Sequence, residues 1–159
     1  MSQLIVGIGD YKVSNGSEDI IKTYALGSCV AVIIYDKKLR IAGMIHIALP
    51  DSKIDQEKAR NKPAYFADTG LSFLIEEMKK LGVLKENIWI KMVGGANVMQ
   101  KEFTFDIGKR NILAIKKILW KQSLRVIASD VGGSISRTVS VGVQDGEIEI
   151  TSGKETWKL

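Results

Sequence analysis

Two neighbouring apolar runs in the first third of the chain constrain its fold more than any other feature. They are CVAVIIYD at residues 29–36 and IAGMIHIAL at residues 41–49, with the polar KKLR between them. Runs that are almost continuously apolar are typical of strands covered on both faces. The sequence therefore predicts two central antiparallel strands joined by a short turn.

The register of this strand pair decides which side chains meet. A turn centred between Lys37 and Lys38 places Cys29 directly opposite His46 on one face of the pair. Directly opposed residues have Cβ atoms about 4.5–5.5 Å apart, which permits contact between a thiol and an imidazole. A turn of odd length would put His46 on the other face. We therefore predict that Cys29 and His46 are direct cross-strand neighbours.

The rest of the chain predicts a layered α/β domain. Apolar residues recur at helical spacing from Phe66 to Leu81 and in RNILAIKKILWKQS at residues 110–123. Strand-like segments surround these helices; they are LIVGIGDYKV, DIIKTYAL, NIWIKMV, RVIASDV, RTVSVGVQ and EIEI, with a hairpin turn at Asp145-Gly146. The polar DSKIDQEKARNK is interpreted as a loop. We expect a single domain over residues 1–159, an α/β sandwich with a mostly antiparallel or mixed sheet and two main helices.

Composition limits the class of protein. One cysteine and one histidine among 159 residues exclude an internal disulfide framework and a zinc site of the usual Cys/His type. The N-terminal MSQLIVGIGDYKV lacks the pattern of a signal peptide, and no stretch has the roughly 20 apolar residues of a membrane span. We expect a cytoplasmic protein that does not insert in a membrane.

The net charge of +5 is compatible with an acidic partner. The lysines are scattered and no nucleic-acid-binding motif is present, so we predict solvated faces or an acidic protein partner in preference to nucleic acid. No phosphate-binding motif accompanies Gly94-Gly95, which we interpret as a tight turn after a strand, and we predict no metal and no cofactor.

Cys29 and His46 have the residue types of a nucleophile and its base. An imidazole beside a thiol can accept its proton and stabilise the thiolate as an ion pair, and the thiolate can attack an acyl carbon. Thr23, on the preceding strand, could hold the imidazole through its hydroxyl. Gly27 would let a substrate approach closely, and the backbone N–H groups of Cys29 and Ser28 could face a developing oxyanion.

The same residues also have structural interpretations. A lone buried cysteine is commonly a small apolar residue, and a strand histidine commonly binds a backbone carbonyl. Asp36, Asp51 and Asp130 are alternative partners of the imidazole. Asn111 is interpreted as a helix cap or near-cap, and Arg137 as a structural or substrate-positioning residue. Spacing alone leaves open whether the cysteine and the histidine form a reactive site.

Five motifs follow one another along the chain: LGSCVAV, GMIHIALP, VGGANVM, IGKRN, and GG with SRTVSV. Together they resemble the chemoreceptor glutamine deamidase family, CheD. The family patterns T-x-x-LGSC and H-x-x-LP match Thr23 to Cys29 and His46 to Pro50. The resemblance implies that Cys29 is the nucleophile, His46 the general base and acid, and Thr23 the orienting residue. Val93 departs from the family's common FGGA.

The resemblance also implies an activity and partners. Members of the family convert selected glutamines of methyl-accepting chemotaxis receptors to glutamate through a cysteine thioester, and can hydrolyse receptor glutamyl methyl esters. It implies a three-layer sandwich similar to bacterial toxin deamidases, and the phosphatase CheC as a partner in mutual regulation. Two alternatives remain: a docking module for CheC and receptors, and another Cys/His acyl enzyme such as a peptidase or transglutaminase.

Overall fold

The computed structural model describes residues 2–100, 102 and 105–159. Its strands are β1 (Gln3–Ile5), β2 (Tyr11–Ser14), β3 (Ile20–Leu26), β4 (Val30–Asp36), β5 (Ile41–Ile47), β6 (Ile88–Gly94), β7 (Ala128–Val131), β8 (Arg137–Gly142), β9 (Ile148–Ser152) and β10 (Glu155–Lys158). Its α-helices are α1 (Gln56–Asn61), α2 (Ala67–Lys80) and α3 (Ile107–Lys121). Short 3-10 helices lie at Ser52–Ile54, Pro63–Tyr65 and Lys85–Asn87.

The strands form two mixed sheets. The central sheet has the order β2-β5-β4-β6-β7, and the outer sheet has the order β1-β3-β8-β9-β10. The pairs β1–β3 and β6–β7 are parallel, and the other pairs are antiparallel. The predicted α/β class with two main helices is confirmed, but two sheets are present where a single sheet was expected.

The second sheet arises from a break near the N-terminus. The sequence predicts a strand-like LIVGIGDYKV with a bend or bulge at Gly7 and Gly9, whereas the structure divides this stretch between β1 of the outer sheet and β2 of the central sheet. The chain crosses between the sheets at residues 6–10. Gly9 has φ of 71°, a left-handed conformation that glycine adopts without strain.

Two apolar layers explain why the central runs lack polar alternation. One face of the central sheet packs against α2 and α3; this layer includes Val30, Val32, Ile34, Ile45, Ile47, Leu71, Leu74, Met78, Ile115 and Leu119. The other face packs against the outer sheet; this layer includes Ala31, Ile33, Met44, Val93, Val139, Val141 and Ile150. Each large aliphatic side chain buried in this way contributes about 1.5–3 kcal/mol of transfer free energy.

The register of β4 and β5 differs from the predicted one by two residues. Ala31 lies opposite His46, and Val30 lies opposite Ile47. Cys29, just before β4, is therefore a diagonal neighbour of His46 and not its direct partner. A shift of two residues preserves the face, because side chains alternate with a period of two. The prediction of direct pairing is wrong, but both residues still belong to the same face of the pair.

The cause of the shift is the length of the turn. Residues 37–40 form a four-residue connection between the paired Asp36 and Ile41. Asp36 Oδ1 accepts hydrogen bonds from the amides of Lys38 and Leu39, at 2.8 and 2.9 Å. These hydrogen bonds stabilise a turn whose centre lies between Lys38 and Leu39, one residue beyond the predicted centre.

Two elements are absent from the sequence-based prediction. The polar stretch interpreted as a loop contains α1, which begins where Asp55 Oδ1 accepts from the amide of Lys58 at 3.0 Å. Because α1 buries only Ala59, it has no apolar periodicity to detect. The strand β10 was also not predicted. The turn at Asp145-Gly146 is confirmed between β8 and β9, with Gly146 at φ of 71°.

None of the helices in the described part of the chain combines the length and the apolar character needed to cross a membrane.

Candidate active site

A hydrogen bond between the two sheets brings Thr23 and His46 together. Thr23 lies on β3 of the outer sheet, and His46 lies on β5 of the central sheet. Thr23 Oγ1 is 2.7 Å from His46 Nδ1. Both side chains are buried, with exposed fractions of 0% and 2%. The contact therefore sits inside an otherwise apolar layer, where polar groups remain only when they are hydrogen-bonded.

The Thr23 hydroxyl determines which nitrogen of His46 carries the proton. Its oxygen lies 2.7 Å from the carbonyl of Val6, and a carbonyl can only accept. The single hydroxyl proton is therefore donated to Val6, so the hydroxyl oxygen accepts from His46 Nδ1–H. The other nitrogen, Nε2, then carries a lone pair. It is buried and has no hydrogen-bond partner among the described residues.

The backbone of His46 is fixed by the segment that crosses between the sheets. Its amide donates to the Asp10 carbonyl at 3.0 Å, and its carbonyl accepts from the Gly9 amide at 2.9 Å. The same segment supplies Val6, the acceptor of the Thr23 hydroxyl. One short stretch thus holds both the backbone and the side-chain partner of the imidazole.

Burial favours the neutral forms of the Cys29 thiol and the His46 imidazole. It lowers the pKa of His46 from 6.5 to about 4, because the charged imidazolium is poorly solvated. Burial also raises the pKa of the half-buried Cys29 thiol. These directions favour a neutral thiol and a neutral imidazole at neutral pH, and not the ion pair that an adjacent thiol and imidazole can form. A proton transfer would accompany attack on a substrate.

The segment before Cys29 is held by three successive carbonyl groups. The Gly27 carbonyl accepts from the Ala96 amide at 2.8 Å, and the Cys29 carbonyl accepts from the Gly95 amide at 2.8 Å. Between them, the Ser28 carbonyl accepts from the side chain of Asn111 at 2.9 Å. Each carbonyl has a different donor, so the orientation of every peptide unit in this turn is fixed.

The amides of Ser28 and Cys29 point the opposite way. In a trans peptide the C=O of one residue and the N–H of the next are antiparallel. Because the Gly27 and Ser28 carbonyls face the protein, the N–H groups of Ser28 and Cys29 face away from it. Neither amide donates to another residue in the part of the chain that the structure describes. Two adjacent free donors of this kind can stabilise an oxyanion.

Gly94, at the end of β6, is required by the close approach of this turn. Its φ is 115°, and a Cβ at this position would collide with the Cys29 carbonyl oxygen. Gly94-Gly95 packs against the backbone of the cysteine, but the tight turn predicted there is not observed, because Gly94 is still part of β6 and the turn of this segment lies at residues 98–99.

Asn111 is not the helix cap that its position in GKRNIL indicates. The cap of α3 is Asp106, whose Oδ1 accepts from the Lys109 amide at 3.0 Å. Asn111 lies one turn further on, is fully buried, and donates to the Ser28 and Ala48 carbonyls. Its spacing from Ile115 and Leu119 puts it on the apolar face of α3. A polar residue at a buried helical position is the signal that could have identified it; the Val6 carbonyl, being backbone, has no such signal.

The other polar candidates have structural contacts. Asp36 organises the β4–β5 turn, and Asp51 caps the 3-10 helix at Ser52–Ile54. Asp130 pairs with the buried Arg137, whose Nε is 2.9 Å from its Oδ1. None of these three carboxylates takes the place of Thr23 as the hydrogen-bond partner of the imidazole.

Two surface cavities differ in their relation to these residues. One, of about 190 Å³, is lined by Ser28 together with residues 96–99 and 105–107, and its rim includes the exposed Met99 and Phe105. The other, of about 380 Å³, lies at the outer sheet. Neither cavity is lined by Cys29 or His46 themselves, but Ser28, which lines the smaller one, is the neighbour of Cys29 in the chain. Five of the eleven residues that line the larger cavity are acidic, and none of them belongs to the segment around Cys29. Because Ser28 lines the smaller cavity, the smaller cavity is the candidate substrate entrance. No three His, Cys, Asp or Glu side chains within the described ranges are grouped to bind a metal ion.

Comparisons with known proteins place this geometry in a family context. The family described as CheD chemotactic sensory transduction matches residues 48–152. A protein of Syntrophotalea carbinolica named "Probable chemoreceptor glutamine deamidase CheD" is 50% identical, with 100% of both chains covered. Proteins with the same name from Solibacter usitatus and Pyrococcus abyssi are 44% and 39% identical, each covering 93% of this chain and 88% and 90% of their own. The family match begins after His46, whereas the full-length alignment includes Thr23, Cys29 and His46.

Proposed function

Since the chain belongs to the CheD chemotactic sensory transduction family, as its motifs predict, we propose that it is a protein-glutamine deamidase acting on chemoreceptors. The relatives named as chemoreceptor glutamine deamidases support this reaction. The observation that carries the proposal is the 2.7 Å contact between Thr23 and His46, which leaves Nε2 as an unprotonated, buried base. The only cysteine of the chain belongs to the same face.

The first half of the reaction forms an acyl-enzyme. His46 Nε2 takes the thiol proton of Cys29 as the sulfur attacks the side-chain amide carbon of glutamine. The resulting oxyanion is stabilised by the N–H groups of Cys29 and Ser28. The imidazolium then donates its proton to the departing nitrogen, and ammonia leaves while the glutamyl group remains on the sulfur as a thioester.

The second half hydrolyses the thioester. His46 takes a proton from water, the hydroxide attacks the acyl carbon, and the thiolate leaves and regains its proton. The net change is amide plus water to acid plus ammonia. As diagonal neighbours, Cys29 and His46 have Cα atoms about 7–8 Å apart. We propose that their side chains meet fully in the substrate complex, where catalytic hydrogen bonds commonly tighten.

The same acyl-enzyme would accept a glutamyl methyl ester, with methanol leaving in place of ammonia. We therefore include receptor methylesterase activity in the proposal. We also propose that residues 1–159 act as one deamidase domain, that the reduced thiol is kept in the cytoplasm, and that CheC binds this domain and is regulated by it.

Mass spectrometry of a chemoreceptor cytoplasmic fragment tests the proposal. The fragment is incubated with the wild-type protein, with Cys29→Ala, or with no enzyme. We expect a gain of about one mass unit per modified glutamine with the wild-type protein only, because hydrolysis replaces an amide by an acid. Released ammonia is measured in the same samples.

Each alternative gives a different result. A docking module would bind the fragment tightly without changing its mass, and Cys29→Ala would bind equally well. A transglutaminase would transfer the glutamyl group to an added amine in preference to water. A peptidase would cut the fragment.

A further inference from the structure

Asn111 connects the two segments that carry the candidate reactive groups. Its Nδ2 donates to the Ser28 carbonyl at 2.9 Å and to the Ala48 carbonyl at 3.1 Å. Ser28 immediately precedes Cys29, and Ala48 lies two residues after His46. A single side chain from α3 therefore joins the start of β4 to the end of β5.

The surroundings of Asn111 fix the orientation of its amide. Two carbonyls face it, and only the NH2 group can donate to them. The side chain is completely buried, and Oδ1 has no partner among the described residues. A buried acceptor without a partner is unfavourable, so this position is not explained by optimal hydrogen bonding of the asparagine itself. The NH2 group of Asn111 has two N–H donors, and it supplies one to each of the two carbonyls that converge on it.

The Ser28 carbonyl belongs to the same peptide unit as the Cys29 N–H. Holding the carbonyl against Asn111 therefore points the N–H in the opposite direction, away from the protein. The flanking peptide units are held by backbone donors from Ala96 and Gly95, but this one is held by a side chain. A single substitution at Asn111 would therefore remove the hydrogen bond that orients this peptide unit.

We propose that Asn111 is a positioning residue that keeps the Cys29 N–H directed at the oxyanion formed during acyl transfer. This inference rests on the proposed nucleophilic role of Cys29. It predicts that loss of the Asn111 donor slows reactions that build an oxyanion and spares reactions of the same sulfur that do not.

Two small reagents separate these reactions. p-Nitrophenyl acetate acylates a thiol through a tetrahedral oxyanion, whereas iodoacetamide alkylates it at a saturated carbon without one. Because the chain has one cysteine, intact-mass analysis reports on Cys29, and Cys29→Ala measures acylation of other groups. We expect Asn111→Leu to lower the ratio of acylation to alkylation rates by roughly 10- to 100-fold. This is less than the roughly 10²- to 10³-fold loss on removing an oxyanion donor, because the Cys29 N–H is misdirected and not removed. Alkylation should change less than about threefold, since it forms no oxyanion.

Control variants distinguish positioning from a general loss of order. Ile115→Val trims a buried residue one helical turn along α3 and should leave the ratio unchanged. Asn111→Ala removes the same donor without adding volume and gives the answer if the leucine variant does not fold. If both Asn111 variants slow alkylation and acylation equally, Asn111 is only structural and the inference is wrong.

The receptor assay keeps the two proposals separate. If the wild-type protein deamidates the receptor fragment but the ratio is unchanged by Asn111→Leu, only the present inference fails. If the ratio falls but no receptor is deamidated, the inference stands and the proposed substrate is wrong. If wild-type Cys29 is not acylated at all, the nucleophilic role and this inference fail together.

Discussion

The two faces of the β4–β5 pair are built from the same apolar runs but serve different ends. The face toward the helices is closed by aliphatic side chains such as Ile45 and Ile47. The face toward the outer sheet has the same aliphatic character at Met44, but two residues later it carries His46, hydrogen-bonded to Thr23. The face toward the helices is purely apolar. The face toward the outer sheet, called the inner face here, also buries His46, and this burial favours the neutral imidazole.

A closely packed apolar layer can determine the protonation of an imidazole. A neutral imidazole with one fixed proton is obtained by surrounding it with apolar atoms and giving it one hydroxyl partner. The helix-facing layer makes this possible indirectly, since it stabilises the strands that hold the residue.

The largest expected effect on turnover is that of His46→Gln. Removing a general base lowers turnover by about 10²- to 10⁴-fold, and glutamine keeps a polar group near Thr23. We expect receptor deamidation to fall within this range while circular dichroism and cooperative unfolding are retained. If activity remained within tenfold of the wild-type value, the inner face would have no catalytic base at this position.

The next largest effect is expected in the free energy of unfolding at acid pH, which the protonation of His46 changes. The folded-state pKa of His46, about 4, is below its unfolded value of 6.5, so the stabilising contribution of the neutral imidazole is present above pH 6.5. It is lost as the pH falls from 6.5 toward 4, because the unfolded chain binds the proton first. Between pH 7.5 and 4.5 the wild-type protein should lose roughly 2–3 kcal/mol more than His46→Gln. Urea unfolding of both proteins measures the difference; parallel losses would contradict the burial of a neutral imidazole.

Thr23→Val replaces the hydroxyl that binds the imidazole by a methyl group. Valine has a similar shape, but it leaves His46 Nδ1–H and the Val6 carbonyl without their partner. We expect turnover to fall by roughly 10- to 100-fold through misorientation of the ring. Stability should fall by about 1–3 kcal/mol. Thr23→Ser, which keeps the hydroxyl, is the matched control and should retain most of the activity; equal losses in both variants would point to packing.

The smallest expected effect belongs to the helix face. Ile45→Val removes one methylene next to α2 and should lower the free energy of unfolding by about 0.5–1.5 kcal/mol. Turnover should stay within about twofold, because Ile45 faces away from the imidazole. Urea unfolding and the receptor assay measure the two quantities. A large loss of activity would mean that the two faces are not separable.

The sequence predicted most of the fold where the apolar pattern was strong. The continuous runs of β4 and β5 and the periodic α2 and α3 were predicted near their observed limits. It did not predict α1, which buries a single alanine, or the division of residues 3–14 between two sheets. The second failure has a physical cause, since a glycine bend looks alike whether the chain stays in one sheet or crosses to another.

The candidate site was only partly predictable. The parity of the β4–β5 register placed Cys29 and His46 on one face, but the carboxylate of Asp36 set a turn length that residue preferences did not reveal. Thr23 is predicted as the partner of the imidazole from its hydroxyl and its place on the strand before Cys29, and the family pattern T-x-x-LGSC also includes it. Its contact across two sheets depends on tertiary packing. The carbonyls of Val6 and Ser28 are invisible in a sequence, because every residue has one.

The hydrogen bond between Thr23 and His46 joins one sheet to the other, so its length depends on the spacing between the two sheets. A further separation of the sheets by about 1 Å along this bond would lengthen the 2.7 Å contact to about 3.7 Å, beyond hydrogen-bonding range. Conservative changes in the layer between the sheets, for example at Met44 or Val139, should therefore lower turnover as well as the free energy of unfolding. The hydrogen bond that fixes the proton on His46 Nδ1 therefore depends on how the two sheets are packed against each other.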